Sequence, residues 1–248
     1  LQKSLEIYKD RFSDAGDFTF VFVGNFEIEA FRPLVLKYLA SLPSTGRTEA
    51  WSDVGLRPPG GVIVKTVRRG LEPKSSNRLI FSGPLEWSRQ AEYDLDAMAQ
   101  VLSIKLREVI RDALGGSYGV GVWGSAQRFP VQRYSVTVDF ECSPDRVEEL
   151  TEVVFSQIDS LKRFGTTEEN LQKIRESQRR SREVALKENR FWRGALQMRY
   201  VHDEDPLMIL SFDQRVERLQ LPAIQQAANR YLDTNNYARF VLLPEQKE

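Results

Sequence analysis

The sequence predicts an α/β (α+β) fold: one mixed, largely antiparallel sheet with helices against one face. Three observations carry this. Strand-like runs come in pairs, near 61–68 with 76–83 and near 117–126 with 131–141, rather than singly between helices. In the last of these runs, Tyr134, Val136, Val138 and Phe140 alternate with Ser135, Thr137, Asp139 and Glu141, so one face is buried and one is wet. Apolar residues at steps of three and four fill the stretches between and after the pairs, as in helices that pack by one stripe.

The elements follow in order. Residues 1–12 read as a short amphipathic helix with Leu5, Tyr8 and Phe12 on one side, broken at Asp14-Ala15-Gly16-Asp17. Phe18 to Val23 is aromatic and β-branched at nearly every position, which predicts a strand covered on both faces. A helix is expected over 27–42, then a Pro- and Gly-rich connector over 43–60. After the first strand pair, a long helix runs over 88–114 on a stripe of Leu95, Met98, Leu102, Leu106, Val109 and Ala113, ended by Gly115-Gly116. After the second pair, Ser143-Pro144 opens a helix that Gly165 stops. Thr166 and Glu169 have capping-box spacing for the next helix, to about 189. Helices near 191–201, 206–218 and 222–232 and a last strand, Ala238 to Leu243, complete the chain. No internal repeat is evident. One domain over 1–248, with 166–236 as a helical lobe, is the simplest organisation. The start at Leu1 reads as that of a piece of a longer polypeptide.

Composition excludes several classes. The chain has 248 residues with 35 basic and 35 acidic side chains, so no global charge draws it to nucleic acid or to an anionic membrane. No apolar run is long enough to span a bilayer. With one cysteine, Cys142, no internal disulfide forms, and Cys142 at a strand end reads as a small buried hydrophobe. His202 is the single histidine. A catalytic zinc needs about three protein ligands, so no metal site and no complete catalytic set is expected here, and His202 beside Asp203 and Asp205 reads as a surface or capping residue. Residues 173–193 hold eight basic side chains against three glutamates. That stretch fits a nucleic-acid stripe. It equally fits neutralisation by 139–159, which hold seven acids and one arginine.

The informative segment is the end of the long helix. Arg111 lies in its last turn, Gly115, Gly116 and Ser117 make the bend, and Tyr118 opens the next strand. A guanidinium and a phenol on either side of such a bend can converge and donate hydrogen bonds to a peptide carbonyl or to the oxyanion formed from it. Spacing alone also fits an arginine favoured by the helix dipole and an unrelated strand tyrosine.

This segment resembles the arginine–tyrosine motif of the insulinase/pitrilysin family of zinc metallopeptidases. The opening, Tyr8-Lys9-Asp10-Arg11-Phe12 followed by Phe18 to Phe26 and a helix ending Tyr38 to Pro43, resembles the start of that family's non-catalytic domains. The resemblance implies a LuxS/processing-peptidase-like metallohydrolase fold. It implies a C-terminal, substrate-side domain of a bacterial zinc metalloendopeptidase, with the zinc on an inverted H-x-x-E-H motif in the N-terminal half of the same polypeptide. Arg111 and Tyr118 would then hold peptide substrate near its scissile bond, with Gly115, Gly116 and Ser117 forming the substrate loop, and the two halves would close over it. This chain alone would hold no zinc and be inactive. A periplasmic or cell-envelope location is implied by the same resemblance. A scaffold subunit of the same fold that has lost its chemistry, and a nucleic-acid module using 173–193, are the competing readings.

Overall fold

The structure, a computed structural model, describes residues 1–114 and 119–245, the side chains of 111–114 excepted. The chain divides into two compact units. One joins Leu1–Ser52 to Arg179–Arg215, and the other joins Asp53–Gln178 to Val216–Glu248.

The second unit holds the sheet. Its strands are β1 (Val62–Arg68), β2 (Ser75–Pro84), β3 (Val120–Gln127), β4 (Arg133–Cys142) and β5 (Tyr237–Leu243), in the order β1-β5-β2-β4-β3. Among the described strands β1 and β5 are parallel, and β5–β2, β2–β4 and β4–β3 are antiparallel. The expected mixed, largely antiparallel sheet is therefore present. The long helix, Arg89–Leu114, packs on β3 and against the helices Val147–Phe164 and Leu221–Tyr231. In chain order the helices are α1 (Gln2–Phe12), α2 (Ile28–Tyr38), α3 (Arg89–Leu114), α4 (Val147–Phe164), α5 (Glu168–Ala185), α6 (Asn189–Val201), α7 (Phe212–Arg218) and α8 (Leu221–Tyr231).

Side-chain alternation decides which sheet face the helices cover. Leu79, Phe81, Val136, Val138, Phe140 and Val241 point to the covered face and are buried with Met98, Leu102, Leu150, Ile158 and Ile224 from α3, α4 and α8. Each such side chain contributes roughly 1.5–3 kcal/mol on burial. The stripe of α3 is shifted by one residue from the expected one at its end: Ile110, not Val109, is fully buried. Gly124 lets α3 sit close on β3, since a Cβ there would meet Leu95 Cγ at 2.9 Å.

One charge enters the covered face. Arg239 on β5, buried between Tyr237 and Val241, donates to both carboxylate oxygens of Glu148 on α4, at 2.9 and 2.6 Å. The forked contact ties strand to helix and neutralises a buried guanidinium.

Helix ends follow local chemistry. Gly165, at φ 69°, ends α4 in a conformation that glycine adopts without strain. α5 is capped by Thr167, whose hydroxyl accepts from the Asn170 N–H at 3.2 Å, rather than by Thr166 as the spacing suggested. The Ser143-Pro144 start is a 3₁₀ turn, Pro144–Arg146, that leads into α4. α2 is shorter than the apolar periodicity implied.

In the first unit, α1 is followed by a tight turn in which Asp14 accepts from the N–H groups of Gly16 (2.8 Å) and Thr45 (3.1 Å) and from the Thr45 hydroxyl. Arg47 bridges Asp10 and Glu49 across the same place. The expected strand at Phe18 to Val23 has no ladder: among the described residues it has no strand partner. Its β-forming side chains meet helices instead, Phe18 against Phe12 and Phe22 against Phe31. Elsewhere in the unit, Arg182 lies over the rings of Phe191 and Phe212 and donates to the Ile209 carbonyl at 2.6 Å.

Glu148→Gln is expected to lower the unfolding free energy by about 1–2 kcal/mol at neutral pH, because Arg239 stays buried without its counter-charge while Glu148 itself stands largely in solvent. The hydrogen bonds from Arg239 hold the Glu148 pKa below its ordinary 4.5. The pair's contribution is thus complete above that value and is lost as pH falls through the depressed one. Urea unfolding across pH checks this: the gap between variant and unmodified chain should close in acid.

Candidate functional site

The face of the sheet away from the helices is open. Pairing register sets its rows. Lys65, Phe240, Arg78, Asp139 and Gly121 stand side by side across the strands, and Ile63, Ala238, Ile80, Thr137 and Trp123 form the next row. Two cavities lie along this face, of about 350 and 880 Å³, and share Lys65, Ile80 and Phe240. Together they form one trough with an apolar floor of Ile80, Phe240 and Trp123 and a charged middle. There Arg78 donates to Asp139 through Nε at 2.8 Å and through a terminal nitrogen at 2.6 Å, which raises the Arg78 pKa. Gly121 leaves room for Trp123, whose ring comes within 3.2 Å of where a Cβ would stand. The arrangement offers stacking surface, the cations Lys65 and Arg133 and a fixed ion pair.

The sequence-predicted residues precede Gly119 in the chain. Arg111 belongs to the last turn of α3 by its backbone, and its side chain is outside the described residues, as are Gly115, Gly116, Ser117 and Tyr118. Their flanks are firmly held. Ile110 is buried in the core, and Val120 pairs with Phe140. The Gly119 carbonyl accepts from the Glu141 N–H at 3.3 Å. Gly119, the residue after Tyr118, lines the larger cavity.

The other candidates are structural. Cys142 is fully buried at the end of β4, with its sulfur 3.2 Å from the Ser75 hydroxyl, and burial pushes the thiol pKa up. His202 is buried rather than on the surface, and its backbone N–H caps α6 through the Met198 carbonyl. Beside it, Arg199 pairs with Glu204 at 2.6 Å. Among the described residues no group of three His, Cys, Asp or Glu is placed to hold a metal, so these residues do not fit a zinc site. In the basic 173–193 stretch, Lys173 pairs with Glu169 and Glu108, Lys187 pairs with Glu183, and Arg175 donates to the Glu217 and Leu219 carbonyls. These cations are committed to partners within the fold, which lowers the free positive charge the stripe offers.

The trough residues Lys65, Arg78, Trp123 and Phe240 were not singled out by sequence. Only the wet alternation through Asp139 hinted at them. Arg78 and Asp139 are 61 residues apart, and only strand register brings them together.

Comparison with known proteins bears on all of this. The model of the peptidase M16 inactive domain matches residues 1–178. The probable zinc protease PqqL of Haemophilus influenzae is 26% identical over 167 residues, covering 67% of this chain and 18% of the relative. The crystal structure of the periplasmic protease PqqL from Escherichia coli superposes with a TM-score of 0.73 at 20% identity, over 90% of this chain and 25% of that one. The ferredoxin protease FusC, in complex with Arabidopsis ferredoxin, superposes with a TM-score of 0.69 at 19% identity, over 89% of this chain and 24% of that one. The chain therefore spans a quarter or less of the length of these proteins.

The burial of Cys142 is directly testable. The native chain should react only slowly with Ellman's reagent at neutral pH, and should titrate one thiol promptly in concentrated guanidinium chloride. Prompt reaction of the native chain would contradict the core position.

Proposed function

The chain belongs to the peptidase M16 family, matching its inactive domain, and from that premise we propose that it is the substrate-side, zinc-free part of a zinc-dependent metalloendopeptidase. Its task is to hold peptide against the catalytic half and to help close the chamber around it. The observation that carries this is the trough on the open sheet face, whose lining includes Gly119, the residue that follows Tyr118 in the sequence. An extended peptide lying along the trough meets Trp123 and Phe240 with its side chains and Lys65 with its acidic groups. Arg111 and Tyr118 then donate hydrogen bonds to a peptide carbonyl at the scissile bond, and bind it more tightly as negative charge develops on its oxygen.

Zinc belongs to the other half of the longer polypeptide in this reading. The residues of this chain bind, orient and exclude water. FusC, crystallised with ferredoxin, supports a protein or peptide substrate, and the periplasmic PqqL supports an envelope location. No helix among the described residues is long and apolar enough to cross a membrane.

In the polypeptide that carries the zinc half, Tyr118→Phe should lower turnover of a quenched peptide by about 100- to 1,000-fold, the usual cost of one lost transition-state donor. KM should change far less. Unchanged turnover would remove Tyr118 from the site and favour a scaffold role.

A further inference from the structure

The two cavities on the open sheet face differ in charge. In the larger, Asp139 and Glu141 stand against Lys65 and Arg78. The smaller, of about 350 Å³, has Lys65 and Arg133 in its lining and no carboxylate among the described residues. All of that lining belongs to the second unit.

Strand register gathers hydrogen-bond donors round Arg133. It pairs with Pro84 on one side and Gln127 on the other, and in the next row of the same face Ser82, Ser135 and Ser125 stand side by side on β2, β4 and β3. Gln127 steers the guanidinium: its Oε1 accepts from Arg133 Nε at 3.1 Å, while its amide nitrogen donates to the Phe129 carbonyl. Asn236, also in the lining, is occupied in the same way, accepting from the Gly61 N–H at 2.8 Å and donating to the Ser82 carbonyl at 2.7 Å. The remaining donors are the two terminal nitrogens of Arg133, the Lys65 ammonium and the three serine hydroxyls. None of these has a partner among the described residues. A half-buried guanidinium that is held at one nitrogen and unpaired at two, with hydroxyls around it, is the chemistry that takes a carboxylate. Ile63, Ile80 and Ala238 supply apolar wall for the methylenes that carry such a group.

We propose that the smaller cavity is a subsite for an acidic side chain of a peptide, and that Arg133 is the residue that selects it. This rests on the reading that a peptide lies along the trough. The cavity shares Lys65, Ile80 and Phe240 with the larger one, so a chain can run from one into the other. A lone inorganic anion would leave most of the space and all of the apolar wall unused. Arg133 and Asp139 are six residues apart on β4, about 20 Å of extended chain. A peptide of twelve residues can therefore reach both the subsite and the Arg78–Asp139 pair.

Binding of labelled dodecapeptides to the natural polypeptide that carries this chain, stripped of metal so that nothing is cut, tests the subsite by fluorescence anisotropy. The peptides are built of Ala and Ser with one Phe, blocked at both ends, and carry a single Glu moved from position to position; each has a Gln counterpart. At one placement the Glu peptide should bind at least about tenfold more tightly than its Gln counterpart, the worth of one charge-assisted contact. Arg133→Gln should abolish that preference and bind the Gln peptide as before, which also shows that the variant is folded. Arg133→Glu should turn the preference toward Lys at the same placement. Equal binding of Glu and Gln peptides at every placement, or a preference that survives in Arg133→Gln, overturns the proposal. So does a gain seen only when the C-terminal carboxylate is left unblocked, since the occupant is then a chain end. Cleavage is scored separately, with metal restored: uncut peptides count against the protease reading, while an Arg133-dependent Glu preference in binding still supports the subsite.

Discussion

Everything in the second unit depends on the sheet being covered on one face only. α3, α4 and α8 bury the side chains of one parity, and the other parity faces away from them. That single condition selects Val136, Val138 and Phe140 for the helix-covered core and turns Ser135, Thr137 and Asp139 to the opposite face, because neighbouring residues on a strand cannot share a face. It also creates the trough. Lys65, Arg78 and Asp139 are tolerable on this face because it is not covered by helices. A second helical layer would require Lys65 to be neutralised or replaced, Arg78 and Asp139 already being paired with each other.

Polar groups on the covered face show the complementary cost. Arg239 is kept there by a forked contact to Glu148. Ser75 and Asn77, both buried, turn toward each other and toward Cys142: the Ser75 hydroxyl donates to the Cys142 carbonyl at 2.9 Å, and the Asn77 amide donates to Ser75 at 3.3 Å. Such groups add little net stability when satisfied and cost much when orphaned. They therefore fix the pairing of β2 with β4 more by penalising slips than by attraction.

The fold was legible wherever burial is decided locally. The alternation in β4 and the stripe of α3 each record one covered face, and both elements are where that pattern places them. Phe18 to Val23 shows where local reading stops. Its side chains carry full strand character, yet a strand is defined by ladder partners, and those are not properties of the segment. Thr166 and Thr167 differ in the same way, since two adjacent hydroxyls have equal capping chemistry and only the geometry of the turn after Gly165 chooses between them. Of the candidate site, Arg111 and Tyr118 stood out as a motif along the chain, whereas the trough is assembled from β1, β2, β3, β4 and β5 and has no linear signature.

The strand order has a further consequence, for synthesis. β1 lies at the edge of the sheet and pairs only with β5, and Gly61 and Asn236, which clip the two together, are 175 residues apart. A ribosome adding about 5–20 residues per second leaves β1 without its partner for roughly ten to thirty seconds. During that time Val62, Ile63, Val64 and Val67 form a bare apolar edge. The pairing of β1 is completed only when β5 arrives. Lys65 and Arg68, placed within that edge, are the kind of charges that keep it from pairing with a stranger.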